Sequence, residues 1–530
     1  PDADRLAALA TMAPALLGFA PSAPRTPPRI DDLRVPASRV SPPPSLAPFC
    51  STDTVARVHH TFGRAYPDLV RAFAGDFAPA PDVVATPPDE RAIDAVLDWC
   101  AHARLACVPF GGGTSVVGGV ECPTPAGLSG VVSLDLRALD RVLDVERTSR
   151  SARIQAGASG PRLEEQLAAH GLSLRFYPQS FEHSTLGGWI ATRAGGHYAT
   201  VWTHIDDLVQ SIRMTTPVGV WESRRLPASG AGPSPDRLAL GSEGTLGVIT
   251  ESWVRVVPRP RFRASANFGF DGFVAGADAL RALSQSGLFP SNARLIDGRE
   301  ALLNGVATNG KKALLLLAFE SADHPLDAWI ARAAELLRDA GGTLDPTGIV
   351  TRVTAEPRST ELPAASAAEG WKRAFFEAPY LQSALVTVGV MADTFETACT
   401  WDRFETLYSR VRTEVRDTLR RLCGGGIVTC RITHVYPDGP APYFTFLAPV
   451  TPGNELAIWR EVKHAACEAL HASGGTITHH HAVGRTHRPW YDRERPEPFA
   501  AALRAAKAAV DPAGVLNPGV LIDPSEPTSR

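Results

Sequence analysis

The stretch Pro109-Phe110-Gly111-Gly112-Gly113-Thr114-Ser115 decides how this chain is read. Consecutive glycines let the backbone take positive φ and turn successive N–H groups toward one point, a nest for anionic oxygens. Thr114 and Ser115 add hydroxyl donors. Working outward, the run Pro81-Asp82-Val83-Val84 predicts a strand, Glu90 to His102 a helix, and Ala106 to Phe110 a buried strand that runs into the glycines. Strand, helix, strand and glycine loop in that order mark an α/β unit. Taken alone, the loop could equally be a tight turn with no ligand.

Two further clusters make that second reading poor. One is Gln179-Ser180-Phe181-Glu182-His183-Ser184-Thr185-Leu186-Gly187-Gly188, continued by Thr192-Arg193-Ala194-Gly195-Gly196. The other is Gly241-Ser242-Glu243-Gly244-Thr245-Leu246-Gly247-Val248-Ile249-Thr250-Glu251, a turn followed by a strand. Small hydroxyl residues and glycines recur where a cofactor could approach backbone. The candidate cofactor-binding residues are Pro109 to Ser115; Gln179, Ser180, Ser184, Thr185, Gly187 and Gly188; Thr192, Arg193, Ala194 and Gly195; and Glu243, Gly244, Thr245, Gly247, Val248 and Ile249. The spacing is not the GxGxxG of a nicotinamide-binding fold, and no acidic ribose partner follows in a clean βαβ unit.

The chain has 530 residues, 44% hydrophobic and 21% charged, enough for two or three structural units. A net charge of -3 gives no reason to expect nucleic acid. No apolar stretch approaches the ~20 residues that span a bilayer. Leu6 to Phe19 is mildly apolar, broken by Pro14, and lacks a basic leader. It reads as an irregular packed segment, with contact to lipid as the alternative. Eight cysteines without CxxC pairing suggest a reducing cytoplasm and not a disulfide framework.

Proline-rich residues 20–48 predict an irregular arm, followed by a helical stretch from Thr54 to Phe73. Strands are expected at Val131 to Leu136, Arg141 to Val145, Ser151 to Ala156, Asp207 to Thr216 and Val248 to Val257, with a helix at Pro161 to His170. Pro258-Arg259-Pro260 breaks the pattern. Beyond it, strands Ala313 to Phe319 and Ala384 to Val390 alternate with amphipathic helices Asp327 to Ala340 and Trp401 to Leu422. The tail reads as a strand, Thr476 to His480, then a helix, Pro498 to Val510. The expected division is an arm at 1–78, a binding domain at 79–258, a second domain at 259–465 and a closing segment at 466–530.

With these residues in view, the chain resembles the vanillyl-alcohol-oxidase and p-cresol-methylhydroxylase superfamily of flavoproteins. Within it the likeness is greatest to the alkyldihydroxyacetonephosphate synthases. The specific marks are Pro81 to Val84, Gly111 to Ser115, Ile205-Asp206-Asp207-Leu208-Val209 and Gly241 to Glu251. Further on come Ala293-Arg294-Leu295-Ile296-Asp297, Trp401-Asp402-Arg403, Cys430-Arg431-Ile432-Thr433, Tyr443-Phe444, and Gly474-Gly475-Thr476-Ile477-Thr478-His479-His480-His481-Ala482-Val483-Gly484. The resemblance implies an α+β fold: a two-subdomain FAD-binding domain, an α/β cap over substrate, and helical extensions at both ends.

It also implies non-covalent FAD, with His183 and His197 as the alternatives for a covalent link. The implied reaction exchanges an acyl group for an alkoxy group through a flavin N5 adduct. Tyr443 would be the acid/base residue, Arg294 would support the active site, Arg403 would grip the substrate phosphate, and His479, His480 and His481 would line the site. Three successive histidines on a strand alternate faces, so no metal is expected there. The implied partner is a small or lipid-like phosphorylated substrate, with peripheral membrane contact and a homodimer as further expectations. The alternative is an FAD-dependent oxidase or dehydrogenase of a small hydroxy compound. Departures from the family pattern raise that alternative: Phe176 stands where a histidine is usual, Gln179 replaces an aspartate, Thr445 a tyrosine, Ala482 a glycine and Arg485 a lysine.

Overall fold

Buried Leu105, Ala106, Cys107 and Val108 form most of the strand Leu105–Phe110, and the glycines begin where that strand ends. The structure, a computed structural model, describes residues 14, 17–123, 127–306, 310–354 and 380–523. Its backbone divides into two compact units. The glycine-loop unit comprises residues 27–195, 204–257 and 480–530; the strand-rich unit comprises residues 1–26, 196–203 and 258–479.

In the glycine-loop unit, Val83–Ala85 and Leu105–Phe110 flank Gly130–Asp135 in parallel, and Cys50–Ser51 adds an antiparallel edge. Asp89 caps the helix Glu90–Ala103 by accepting from Ala92 N. That helix buries Ile93, Val96, Leu97 and Cys100 into one core with Leu105, Val132 and Leu134. A second sheet is antiparallel throughout, in the order Val142–Glu146, Ser151–Gln155, Val248–Arg255, Val209–Thr216 and Gly219–Glu222. The chain's end closes this unit: Leu516 bridges Cys107, and Val515 and Leu516 complete the first core.

The strand-rich unit is built on one antiparallel sheet. Its order is Thr343–Leu344, Phe262–Phe270, Ala313–Ser321, Asn292–Ile296, Ile427–Val435, Pro440–Pro449 and Val390–Glu396, with Val350–Val353 also on Phe262–Phe270. The helices Phe273–Ser284 and Asp327–Asp339 pack on Phe262–Phe270. The long helix Trp401–Cys423 lies against Ile427–Val435, Pro440–Pro449 and the helix Glu455–Ala472. Tyr408 on that helix stacks on Phe273 at 4.9 Å. Among the described residues no helix is long and apolar enough to cross a membrane.

Several expected elements differ. Residues 380–387 are helical and the strand begins only at Val390, so Ala384 to Val390 is not a strand. Every residue of that run is buried, and a short run buried all round carries no period to separate helix from strand. Thr476 to His480 is irregular. There Glu396 accepts from Thr478 Oγ1 at 2.5 Å and from His479 N at 2.6 Å, contacts that take the place of a ladder. The helical stretch at Thr54 to Phe73 is two helices, Thr54–His59 and Tyr66–Phe73, parted near Gly63. A Cβ on Gly63 would stand 2.2 Å from the Ser115 carbonyl oxygen, so only glycine allows this close approach. Ile205–Leu208 is a short helix before Val209–Thr216. Of the segment Leu6 to Phe19, only residues 14 and 17–19 lie within the described set; Leu17 is buried beside Leu385 and Val388.

The end of the chain is fastened by a buried ion pair. Lys507 Nζ donates to Asp511 Oδ2 at 2.6 Å, to the Leu516 carbonyl at 2.7 Å and to the Thr245 carbonyl at 2.8 Å, with both charged side chains fully buried. Lys507→Met strands the Asp511 carboxylate and should cost ~3–5 kcal/mol, read as a lower urea midpoint. Adding Asp511→Asn should recover part of that loss, because no buried charge is then left alone.

Candidate functional site

The glycine loop is pressed against the second cluster. A Cβ on Gly111 would lie 2.3 Å from Thr185 Oγ1, and one on Gly112 2.0 Å from the His183 carbonyl oxygen. Gly113 has φ +64° and sits on the Phe110 ring. Among the described residues the backbone N–H groups of Gly111 to Ser115 find no protein acceptor. A run of unpaired donors on a loop that excludes side chains fits a diphosphate, whose oxygens would complete them. Ser115 Oγ accepts from Gly119 N at 2.9 Å and so braces the loop.

Some of the other expected cofactor residues brace this loop, and the rest make local contacts of their own. Ser184 Oγ donates to the Ser180 carbonyl at 2.8 Å and accepts from Trp189 Nε1 at 2.7 Å. Thr185 caps the helix Leu186–Thr192, and Thr192 Oγ1 donates back to the Gly188 carbonyl. A Cβ on Gly187 would crowd Ala156 at 2.7 Å. Arg193 is exposed and pairs with Asp206, beside Arg237. The Ala194 carbonyl accepts from Ile205 N, and Gly195 bridges His204. Gln179 is half-buried.

In the third cluster, Gly244 has φ +73° and packs on Pro109, where a Cβ would fall 2.9 Å from Cγ. The buried Glu243 carboxylate accepts from Val483 N at 2.9 Å and from Gly484 N at 2.9 Å. Burial outweighs these bonds and pushes its carboxyl up to about 7. Thr245 Oγ1 donates to the Ser242 carbonyl, Gly247 lies against Met214, Val248 belongs to the first core, and Ile249 is buried. What these residues leave for a ligand is backbone.

The strand-rich unit gathers a second set of groups. Arg294, fully buried on Asn292–Ile296, reaches the His197 carbonyl with Nη2 at 3.2 Å and His197 Nδ1 with Nη1 at 3.5 Å. Burial and the neighbouring Arg431 cation lower it to about 9, although Glu300 opposes them. Tyr443, 4% exposed, stands opposite Arg431 on one side and Glu396 on the other. Its phenol donates to Thr394 Oγ1 at 3.0 Å. His479, held through its backbone by Glu396, has Nε2 2.8 Å from the Tyr436 hydroxyl, which is 3.1 Å from Thr203 Oγ1. The ring of buried His434 lies 5.0 Å from that of His479.

Arg294, Tyr443 and His479 lie in the strand-rich unit; His480 and His481 belong to the other, their rings 4.8 Å apart. Arg403 is exposed near the start of its helix, against Gly474, in a groove of about 430 Å³ lined also by Asp402, Thr406, Arg410 and His471. Its guanidinium has no ion-pair partner among the described residues. Phe176 is fully buried against Trp189, ring centres 5.1 Å apart. Sequence reasoning missed Arg431, Glu300, Glu396 and Tyr436. Arg431 and His434 could have been found, since a charge and an imidazole inside the strand Ile427–Val435 break its apolar pattern.

Residues 81–223 match the FAD binding domain family, and residues 259–521 match the C-terminal domain of FAD linked oxidases. Alkyldihydroxyacetonephosphate synthase of Dictyostelium discoideum is 30% identical over 482 residues, 89% of this chain and 78% of that protein. The enzyme of the same name from Trypanosoma brucei brucei is 29% identical over 504 residues, 90% of this chain and 79% of that protein. A solved alkyldihydroxyacetonephosphate synthase structure superposes with a TM-score of 0.78 at 25% identity, covering 97% of this chain and 92% of that one.

Gly112→Ala should yield folded protein with little or no bound flavin, because its Cβ meets a backbone carbonyl that cannot step aside. Gly230→Ala, with nothing within 4 Å of the added carbon, should stay yellow. Visible absorbance of the two purified variants checks this.

Proposed function

Because the chain belongs to the alkyldihydroxyacetonephosphate synthase family of FAD-linked proteins, we propose that it exchanges the acyl group of an acylated dihydroxyacetone phosphate for a long-chain alkoxy group. The observation that carries this reading is the buried Tyr443 phenol, set between Arg431 and Glu396 in a sheet that also buries Arg294. Such an exchange needs proton transfers more than it needs a redox partner. The carbon–oxygen bond to the acyl group breaks, a carboxylate departs, and the alcohol oxygen bonds to the same carbon and loses its proton. Atoms and electrons balance without an oxidant.

FAD, when bound, supplies the electron-accepting ring system that allows substitution at that carbon without net redox. The backbone N–H groups of Gly111 to Ser115 would hold its diphosphate, braced by Thr185 and the Gly187 and Gly244 contacts. Tyr443 is the group that takes and returns the proton at the substrate carbon. Arg294 holds positive charge near the site of the departing carboxylate. Arg403 keeps the phosphate-binding role: its groove is continuous along the backbone with the segment from Gly474 to His479, which Glu396 anchors. We infer non-covalent FAD, since His183 is exposed and His197 is engaged by Arg294.

The test is to mix the yellow protein with acyl-dihydroxyacetone phosphate and a long-chain alcohol, then assay ether lipid and free fatty acid. Both products should appear, with the flavin spectrum unchanged after turnover, and acid precipitation should release FAD to the supernatant. Tyr443→Phe should keep its flavin and lose on the order of 10²–10⁴ in turnover. Flavin bleached by a small hydroxy compound, with no ether formed, would move the assignment to an oxidoreductase.

A further inference from the structure

Tyr443 pairs with Arg431 across the strands Ile427–Val435 and Pro440–Pro449. The guanidinium carbon of Arg431 lies 3.8 Å from the centre of the Tyr443 ring. Arg431 is buried, and its Nη1 donates to Glu300 Oε1 at 2.5 Å. Glu300, itself buried on the short helix Gly298–Leu303, accepts from Thr429 Oγ1 at 3.0 Å on its other oxygen. A second buried carboxylate, Asp297, caps that helix and accepts from Cys430 N, so helix and strand are fixed to each other on both sides of Arg431.

A buried ion pair often contributes less to stability than apolar side chains of the same volume. Its presence here therefore asks for a reason other than packing. A cation over the face of an aromatic ring is attracted by the ring's electrons, and the attraction strengthens when the phenol becomes a phenolate. Burial pushes the Tyr443 phenol up; the Arg431 charge pulls it back, and so does the hydrogen bond to Thr394. Among the described residues, the strand partners, hydrogen-bond acceptor and ring contact of Tyr443 include no second cation. Glu396 and Asp393, on the strand Val390–Glu396, oppose proton loss. Lys463, on the helix Glu455–Ala472, is spent on the Thr394 carbonyl at 2.8 Å and on Asp393 at 3.7 Å. Thr394 Oγ1 takes the phenol proton in a hydrogen bond.

We propose that Arg431, clamped by Glu300, is a positioning residue for Tyr443: it fixes the ring and supplies the positive charge that the phenolate needs while its proton is away. The inference rests on the acid/base role given to Tyr443 above. Arg431→Met alone would strand the Glu300 carboxylate, so the informative variant is Arg431→Met with Glu300→Gln, checked for folding and bound flavin.

Two readouts apply: the pH profile of ether formation, and the ultraviolet titration of the Tyr443 phenol. The second is the difference between each protein and the same protein carrying Tyr443→Phe. In the double variant the limb reporting the phenol should move about one unit or more to higher pH, with turnover near neutrality down ~10-fold or more. The phenol titration should move with it. Arg431→Lys should recover part of the effect, because an ammonium keeps the charge but not the flat face. A folded, yellow double variant with wild-type phenol titration and pH profile overturns the inference and leaves the acid/base role standing. Full activity in Tyr443→Phe instead removes that role, and the inference falls with it.

Discussion

Two backbone approaches set the terms for the glycine-loop unit. Gly111 and Gly112 lie so close to His183, Ser184 and Thr185 that no side chain fits between them. That proximity joins the end of the parallel sheet to the second cluster, and it needs the second cluster held rigid. Ser184 does so through Ser180 and Trp189, and Thr185 through the helix it caps. The third cluster closes on Pro109 through Gly244 and is tied in turn to the chain's end by Glu243 and by Lys507. Among the described residues the loop's N–H groups find no protein acceptor, and its glycines carry no side chains to cover them.

The strand-rich unit solves a different problem. Its central strands bury Arg294 and Arg431 where β-sheet chemistry favours apolar, branched residues. Isolated charges in such a place would be very costly. Glu300 and the backbone of His197 offset that cost, and Asp297 and Thr429 hold Glu300's helix and carboxylate in register. Elsewhere in the unit, aromatic stacking supplies ordinary cohesion, as with Phe395 on Phe444 at 5.1 Å. Arg431, Tyr443 and Glu396 stand in line across three neighbouring strands.

Much of this was legible in the sequence, for stateable reasons. The strand before Gly111 and the helix Glu90–Ala103 carry strong local patterns, and the three clusters are short, dense and ordered. Arg294, Tyr443 and the histidine run were found through family likeness and would not have been found by periodicity. The failures share a cause: they concern segments fixed by tertiary contacts. Ala384 to Val390 is apolar all round, so its first half could fold as helix. Thr476 to His480 looks like a strand, but Glu396, some 80 residues earlier, takes its donors. Phe176, which stands where a histidine is usual, is buried against Trp189. Glu300 gave no local signal, since a glutamate on a short helix is usually a surface residue.

The electrostatic balance of the strand-rich unit bears on which chemistry it can serve. Arg294 is lowered to about 9 because burial and Arg431 together outweigh Glu300. A cation disfavoured by its surroundings is one whose surroundings would be relieved by an anion. Hydride transfer from a hydroxy compound needs a base but leaves no new carboxylate. Acyl departure would create one, and a Tyr443 that gave up its proton would become a phenolate. Both anions would arise where two guanidinium groups are already buried at the expense of stability. Two buried guanidinium groups suit a reaction that releases an anion, as the exchange proposed above does.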